Sequence, residues 1–192
     1  MEKSRLEAFS DGVIAVIITI MVLELKVPHG DGLPALAPLW TVFLSYVLSF
    51  VYVGIYWNNH HHMLQLADSI NGLVLWANLH LLFWLSLVPF STGWMGENHF
   101  TRVPTMLYGA NLLLCAAAYS ALQTCLVRHL GADSALAKAV ARDYKGHASM
   151  ALYLAGIVCA WLLSPWGGLA CFVVVALIWL VPDKRIESKL MH

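Results

Sequence analysis

The chain has 192 residues, of which 60% are hydrophobic and only 11% are charged, and its formal net charge is zero. A soluble globular domain carries about 25% charged residues, and the mean hydropathy of this chain is +0.71. The composition therefore predicts an integral membrane protein whose main partner is the lipid bilayer. It excludes the basic footprint by which proteins bind nucleic acid.

Six apolar runs are long enough to cross roughly 30 Å of hydrocarbon. They cover residues 6–25, 38–60, 70–92, 104–127, 146–164 and 167–182. The intervening segment 128–145 contains four basic residues, which predicts a short amphipathic helix on the membrane surface. We therefore expect one all-α domain over residues 1–192, a bundle of six transmembrane helices.

The basic residues are distributed unevenly between the two sides of the predicted bundle. One side holds nine: Lys3, Arg5, Arg128, Lys138, Arg142, Lys145, Lys184, Arg185 and Lys189. The other side holds only Lys26 and Arg102. Since basic residues favour the cytoplasmic side, both termini are predicted to be cytoplasmic, in a multi-pass protein of the cell membrane. The chain has no internal repeat, so a symmetric pore requires several copies.

Patterns that indicate catalysis or metal binding are absent from the sequence. No GxSxG, HExxH or P-loop pattern occurs, and the membrane interior is predicted to hold no pair of carboxylates. Consecutive helical residues point about 100° apart, so His60, His61 and His62 cannot converge on one ion. The four cysteines lie inside apolar runs without CxxC spacing, as small reduced packing residues do. We therefore expect no enzyme activity, no cofactor and no resident metal.

The first apolar run, residues 5–25, has two unlike faces when drawn as a helix. Val16, Ile20 and Leu23 lie in a narrow apolar stripe, with Thr19 at its edge. Two interpretations are open. The stripe could pack against another helix, or it could line a pore in which rings of these side chains from several copies form a hydrophobic gate.

Asp11 is the clearest ionisable residue within an apolar run. One interpretation is a helix start near the cytoplasmic interface, where the helix dipole favours acids. The other is a hydrogen-bonded network that joins the first span to its neighbours. At the same predicted depth, the candidate partners are His60 or His61 on the second span and Asn78 or His80 on the third.

Several motifs in the first three spans resemble the transmembrane protein 175 family. They are Arg5-x-x-x-Phe9-Ser10-Asp11 with its apolar continuation, Trp57 with His60-His61, the segment 76–79 (Trp-Ala-Asn-Leu) and the segment 89–92 (Pro-Phe-Ser-Thr). This family comprises potassium channels of animal endosomes and lysosomes, with single-repeat relatives in prokaryotes. The resemblance extends through residue 92, and beyond it only the topology is similar.

The resemblance implies a homotetrameric potassium channel whose first span lines the pore, with no carbonyl-lined filter and no metal beyond potassium in transit. It implies constriction residues at Val16, Ile20 and Leu23 and a pore hydroxyl at Thr19. It also implies a structural network behind the pore, formed by Arg5, Ser10, Asp11, His60, His61 and Asn78. Val16 departs from the family pattern, in which the first constriction residue is Ile or Leu.

A potassium-permeable cation channel is therefore the leading hypothesis. The alternative from another class is a secondary transporter, coupled to protons through Asp11 and the histidines. The chain lacks the inverted repeats and paired broken helices typical of such transporters. A non-conducting membrane scaffold is a third interpretation that the residues leave open.

Overall fold

The computed structural model describes residues 2–140 and 143–180, and these are entirely helical or irregular, without a strand. The α-helices are α1 (Lys3–Leu23), α2 (Trp40–Gln65), α3 (Gly72–Ser86), α4 (Val88–Glu97), α5 (Arg102–Leu130), α6 (Ala135–Val140), α7 (Tyr144–Leu162) and α8 (Pro165–Leu180). A short 3₁₀ helix, Leu33–Leu39, leads directly into α2. The predicted all-α class is confirmed.

Four helical stretches are long and apolar enough to cross a membrane. They are Lys3–Leu23, Leu33–Gln65, Gly72–Glu97 and Arg102–Leu130, which match the first four predicted spans. The helices α7 and α8 form an antiparallel hairpin at the positions of the fifth and sixth, and α8 is a shorter apolar helix. The count of six spans therefore stays a prediction. The basic C-terminal tail and the predicted end of the sixth span at residue 182 lie outside the described residues.

The third predicted span is broken between α3 and α4, whereas one continuous helix was predicted. Pro89 has no N–H, so the helical hydrogen-bond ladder is interrupted at this point. Asn111 on α5 reaches the break. In the orientation that satisfies its amide, the nitrogen donates to the Trp84 carbonyl over 3.1 Å and the oxygen accepts from Ser91 Oγ, also over 3.1 Å. A buried side chain thus replaces part of the lost backbone bonding.

The predicted surface helix over residues 128–145 is wrong in extent. The helix α5 continues to Leu130, and α6 has only six residues. The apolar side of α6, Leu136 and Ala139, is buried within the protein, while Lys138 is exposed. A short amphipathic helix is therefore present in this segment, and its position on the membrane surface stays a prediction. Arg142 lies outside the described residues.

The bundle has two packed groups, one around α5 and one around α1, and both include α3 and α4. The helix α5 contacts α3, α4, α7 and α8, whereas α1 packs against α2, α3 and α4. Close approach of α4 to α2 depends on Gly96, because a Cβ at that position would lie 2.8 Å from Val42 Cα. Because α1 packs against α2, α3 and α4, it lies at one side of the bundle, and only part of its circumference is covered.

Candidate functional site

The face of α1 that packs into the protein is narrow. Its buried residues recur every three or four positions and are Leu6, Ser10, Ile14, Ile17 and Met21. This spacing places them on one side of the helix. The buried face lies between the two faces that the periodicity separated, so the stripe of Val16, Ile20 and Leu23 is on one of its flanks and Asp11 is on the other.

The apolar stripe is exposed in the protomer. The relative exposure is 57% for Val16, 42% for Ile20 and 76% for Leu23, and Thr19 beside them is also exposed. A Cβ added at Gly12, one turn before Val16, would meet nothing within 4 Å. The whole length of this face is therefore accessible to lipid, to another copy of the chain or to a pore.

The hydroxyl of Thr19 has a defined direction. Its proton is donated to the Ala15 carbonyl oxygen over 2.9 Å, one turn earlier on the same helix. Because a hydroxyl has one donor and two acceptor lone pairs, the outward side of Thr19 Oγ1 presents acceptors only. An oxygen acceptor on an otherwise apolar face is suited to a dehydrating cation.

Behind α1, three buried polar side chains form a directional chain of hydrogen bonds. Ser10 Oγ donates to the Leu6 carbonyl oxygen over 2.8 Å, so it accepts from Asn78 Nδ2 at 2.9 Å. Asn78 Oδ1 can only accept, so His60 Nε2 donates to it over 2.7 Å. All three residues are at most 1% exposed. This chain links α1, α3 and α2 at one level of the bundle.

A second link joins α1 to α2 at the surface. Trp57 Nε1 donates to Asp11 Oδ1 over 3.0 Å. The Trp57 ring also stacks on His61, with centroids 6.0 Å apart and planes 15° apart. Asp11 and His61 therefore contact the same tryptophan rather than each other. Trp57 was predicted only as part of the family motif; the signal for its bond to Asp11 is that a buried or half-buried indole N–H usually finds a hydrogen-bond acceptor.

The structure does not bring Arg5 into either group. Its side chain is exposed and makes no hydrogen bond or ion pair within residues 2–140 and 143–180. Lys3 provides the basic contact instead, because its Nζ donates to the Ala67 carbonyl oxygen over 3.0 Å at the end of α2. His80, the other candidate partner of Asp11, is exposed and accepts from Trp84 Nε1 over 2.9 Å.

Comparison with known proteins agrees with this fold and shows the family. The family described as "Endosomal/lysosomal potassium channel TMEM175" matches residues 5–89. A potassium channel of Chryseobacterium sp. (strain P1-3) is 51% identical over 190 residues, which cover 99% of this chain and 98% of that one. The crystal structure of a lysosomal potassium-selective channel TMEM175 homolog from Chamaesiphon minutus superposes with a TM-score of 0.83 and 28% identity, over 95% of this chain and 98% of that one.

A more distant relative is the endosomal/lysosomal proton channel TMEM175 of Gallus gallus, which is 31% identical over 103 residues. The match covers 47% of this chain and 21% of that protein. Together, fold and comparisons define a multi-pass channel protein of the cell membrane. The chain belongs to the TMEM175 family, which is a family of ion channels and not of enzymes.

Proposed function

We propose that four copies of this chain form a potassium-permeable cation channel, with α1 of each copy lining a central pore. In this arrangement each chain is a single six-span domain over residues 1–192, with both termini in the cytoplasm. The names of the relatives support potassium as the permeant ion, since the Chryseobacterium protein is a potassium channel and the Chamaesiphon protein is described as potassium-selective.

The observation that carries the proposal is the free face of α1. A helix bonded to its own protomer through a buried polar chain, yet exposed along a continuous stripe, is available to face three symmetry mates. Rings of Val16, Ile20 and Leu23 would narrow such a pore at three successive levels. Hydrophobic constrictions of this kind gate by excluding water.

Thr19 supplies the polar element of the proposed pore. Four acceptor oxygens at one level replace part of the hydration shell of a cation, as carbonyl oxygens do in other potassium channels. The engaged hydroxyl proton makes this ring unattractive to anions. The combination of apolar rings and one acceptor ring favours weakly hydrated cations such as potassium.

The polar residues behind the stripe have a structural role in this proposal. Ser10, Asn78 and His60 fix the rotation of α1, and therefore decide which of its residues face the axis. Asp11 is held to α2 by Trp57, with His61 stacked behind. Arg5 is exposed and belongs to neither polar group of the protomer; in the tetramer, a neighbouring copy would be the partner of its guanidinium.

Unitary currents in a planar bilayer test the proposal. The purified protein should show discrete openings whose reversal potential follows the potassium gradient. Ile20→Asn or Leu23→Asn should wet the constriction, which raises conductance and weakens the preference for potassium over sodium. The matched control is Leu177→Asn, because Leu177 is also an exposed apolar residue but lies on α8, which packs against α7, α5 and α2.

Unchanged currents in both α1 variants would contradict the assignment of the pore to α1. Transport that saturates without unitary events, and that requires a proton gradient, would favour a secondary transporter instead. Because the Gallus gallus relative is named a proton channel, the same bilayer should also be recorded with a pH gradient at equal potassium concentration. A reversal potential that stays at zero there indicates potassium as the main permeant ion.

A further inference from the structure

The end of α1 beyond the apolar stripe carries an acid in an unfavourable position. Leu23 is the last residue of the helix, and Glu24 is its C-cap, with its N–H bonded to the Ile20 carbonyl oxygen over 3.3 Å. The C-terminus of a helix is the negative end of its dipole and favours cations. An acid here breaks a local rule, and proteins tend to break such rules at functional positions.

No contact in the protomer compensates this acid. Glu24 is exposed, and no hydrogen bond or ion pair involves its carboxylate in the part of the chain that the structure describes. The carboxylate lies beside α4, where a Cβ added at Gly93 would be 3.8 Å from Glu24 Oε2. A structural role as a cap or as a salt-bridge partner is therefore not supported by its contacts.

The basic residue closest in sequence is already paired elsewhere. Lys26 Nζ donates to Glu97 Oε1 at the end of α4 and forms an ion pair with it. That hydrogen bond, and the charge of the same carboxylate, raise the pKa of Lys26, to which Glu24 adds only the smallest contribution. Lys26 is therefore paired with Glu97 and not with Glu24, so these three side chains together remain negatively charged.

We propose that Glu24 is a further residue of the permeation path, which concentrates monovalent cations at the outer end of the pore. The inference rests on the proposed function, because the pore must follow α1 and the C-terminus of α1 must face outward. Four copies then place four carboxylates and four helix C-termini around the opening, one residue beyond the Leu23 ring. Rings of acidic side chains act in this way in cation channels.

The action is electrostatic and long-ranged, so Glu24 does not have to touch the ion. A fixed negative charge raises the local cation concentration and the rate of association. Its reach is set by salt, since the Debye length is about 10 Å at 0.1 M and about 3 Å at 1 M. A functional Glu24 therefore makes inward current larger at low salt, and this advantage disappears at high salt.

The test compares Glu24→Gln with the unmodified chain in planar bilayers of neutral lipid, in symmetrical KCl. At about 0.1 M KCl, inward unitary current should fall by about twofold or more, and outward current should change less, so that rectification appears. At about 1 M KCl the two proteins should conduct alike. Glu24→Lys should show a larger loss with the same salt dependence. Asp133→Asn is the matched control, because Asp133 is an exposed acid in the turn between α5 and α6, at the opposite predicted face.

Two outcomes would overturn the inference. One is a loss of current in Glu24→Gln that is equal at both salt concentrations and in both directions, which indicates altered structure. The other is an unchanged inward current at low salt in Glu24→Gln while Ile20→Asn alters conductance. If neither Ile20→Asn nor Glu24→Gln changes the unitary current, then α1 does not line the pore and the inference about Glu24 is also wrong.

Discussion

The side-chain amide of Asn78 donates a hydrogen bond to Ser10 Oγ over 2.9 Å, and both residues are fully buried. The bond joins α3 to α1 at the level where α1 begins to expose its apolar stripe. Because Ser10 Oγ already donates to its own helix, Asn78 is the only side chain in the described residues that donates to it. This amide is therefore the buried side chain that fixes the rotation of α1 relative to α3.

Asn78→Ala is expected to destabilise the protomer by about 1–3 kcal/mol, because it leaves the donating His60 nitrogen buried without an acceptor. The free energy of unfolding in mixed micelles measures the effect. Asn98→Ala is the control, since Asn98 is exposed and bonds only to the Trp94 carbonyl of its own helix. Equal losses in the two variants would argue against a role for the buried chain. A double-mutant cycle that combines Asn78→Ala with Ser10→Ala should give a coupling free energy of about 0.5–3 kcal/mol.

Asp11→Ala is expected to weaken the attachment of α1 to α2, because Trp57 Nε1 loses its acceptor. The cost should be about 1 kcal/mol, below that of buried charged hydrogen bonds, since Asp11 is exposed. Asp11→Asn keeps an oxygen acceptor and should cost less, and Trp57→Phe should reproduce the Asp11→Ala effect. The fraction of protein that elutes as the assembled oligomer in gel filtration measures this weakening. A stable assembly of Asp11→Ala with altered ion selectivity alone would place Asp11 in the pore.

The amino-acid pattern predicted most of the architecture and the exposed stripe of α1. Hydrophobic length identified the first four spans, because a membrane imposes a minimum apolar length on any helix that crosses it. The period of 3.6 residues grouped Val16, Ile20 and Leu23 without further information. Assigning that group to a pore depended on the resemblance to a family, since periodicity does not distinguish lipid, protein and water as the neighbour.

The hydrogen-bond partners within the polar network could not be predicted from the sequence. Whether Asp11 meets a histidine or Trp57 depends on how far α1 and α2 are rotated and shifted relative to each other. One residue of shift turns a side chain by about 100°. The break at Leu87 is different, because Pro89 was a visible signal for it. Its repair by Asn111 was not visible, since that contact joins residues far apart in sequence.

Gly96→Ala is expected to push α4 away from α2. The added Cβ would lie 2.8 Å from Val42 Cα and within contact of Ser45 Oγ, and backbone cannot move aside as a flexible side chain can. Overpacking of this kind costs about 1–3 kcal/mol. Gly93→Ala, three residues earlier on the same helix, has its nearest neighbour at 3.8 Å. It should be neutral or stabilise the helix by about 0.5–1 kcal/mol. Thermal unfolding of the two variants in one detergent separates packing from helix propensity, and similar shifts in both would contradict the close approach.

Val16→Ile concerns the position at which the resemblance predicts a departure from the family pattern. In the proposed tetramer, each copy adds one methylene to the apolar ring nearest the cytoplasm. A narrower apolar ring is harder to wet. We expect lower unitary conductance, more frequent closures and a stronger preference for potassium over sodium. Bi-ionic reversal potentials measure the preference, and single-channel records measure the other two properties.

The matched change for this test is Val22→Ile, which adds the same methylene to an exposed position on the flank of α1 that carries Asp11. Val22→Ile should leave conductance unaltered if the axis lies on the side of Val16. An equal effect of the two substitutions would mean that α1 is rotated relative to the proposed pore. A rise in conductance for Val16→Ile would contradict the idea that side-chain volume at this level limits ion flow.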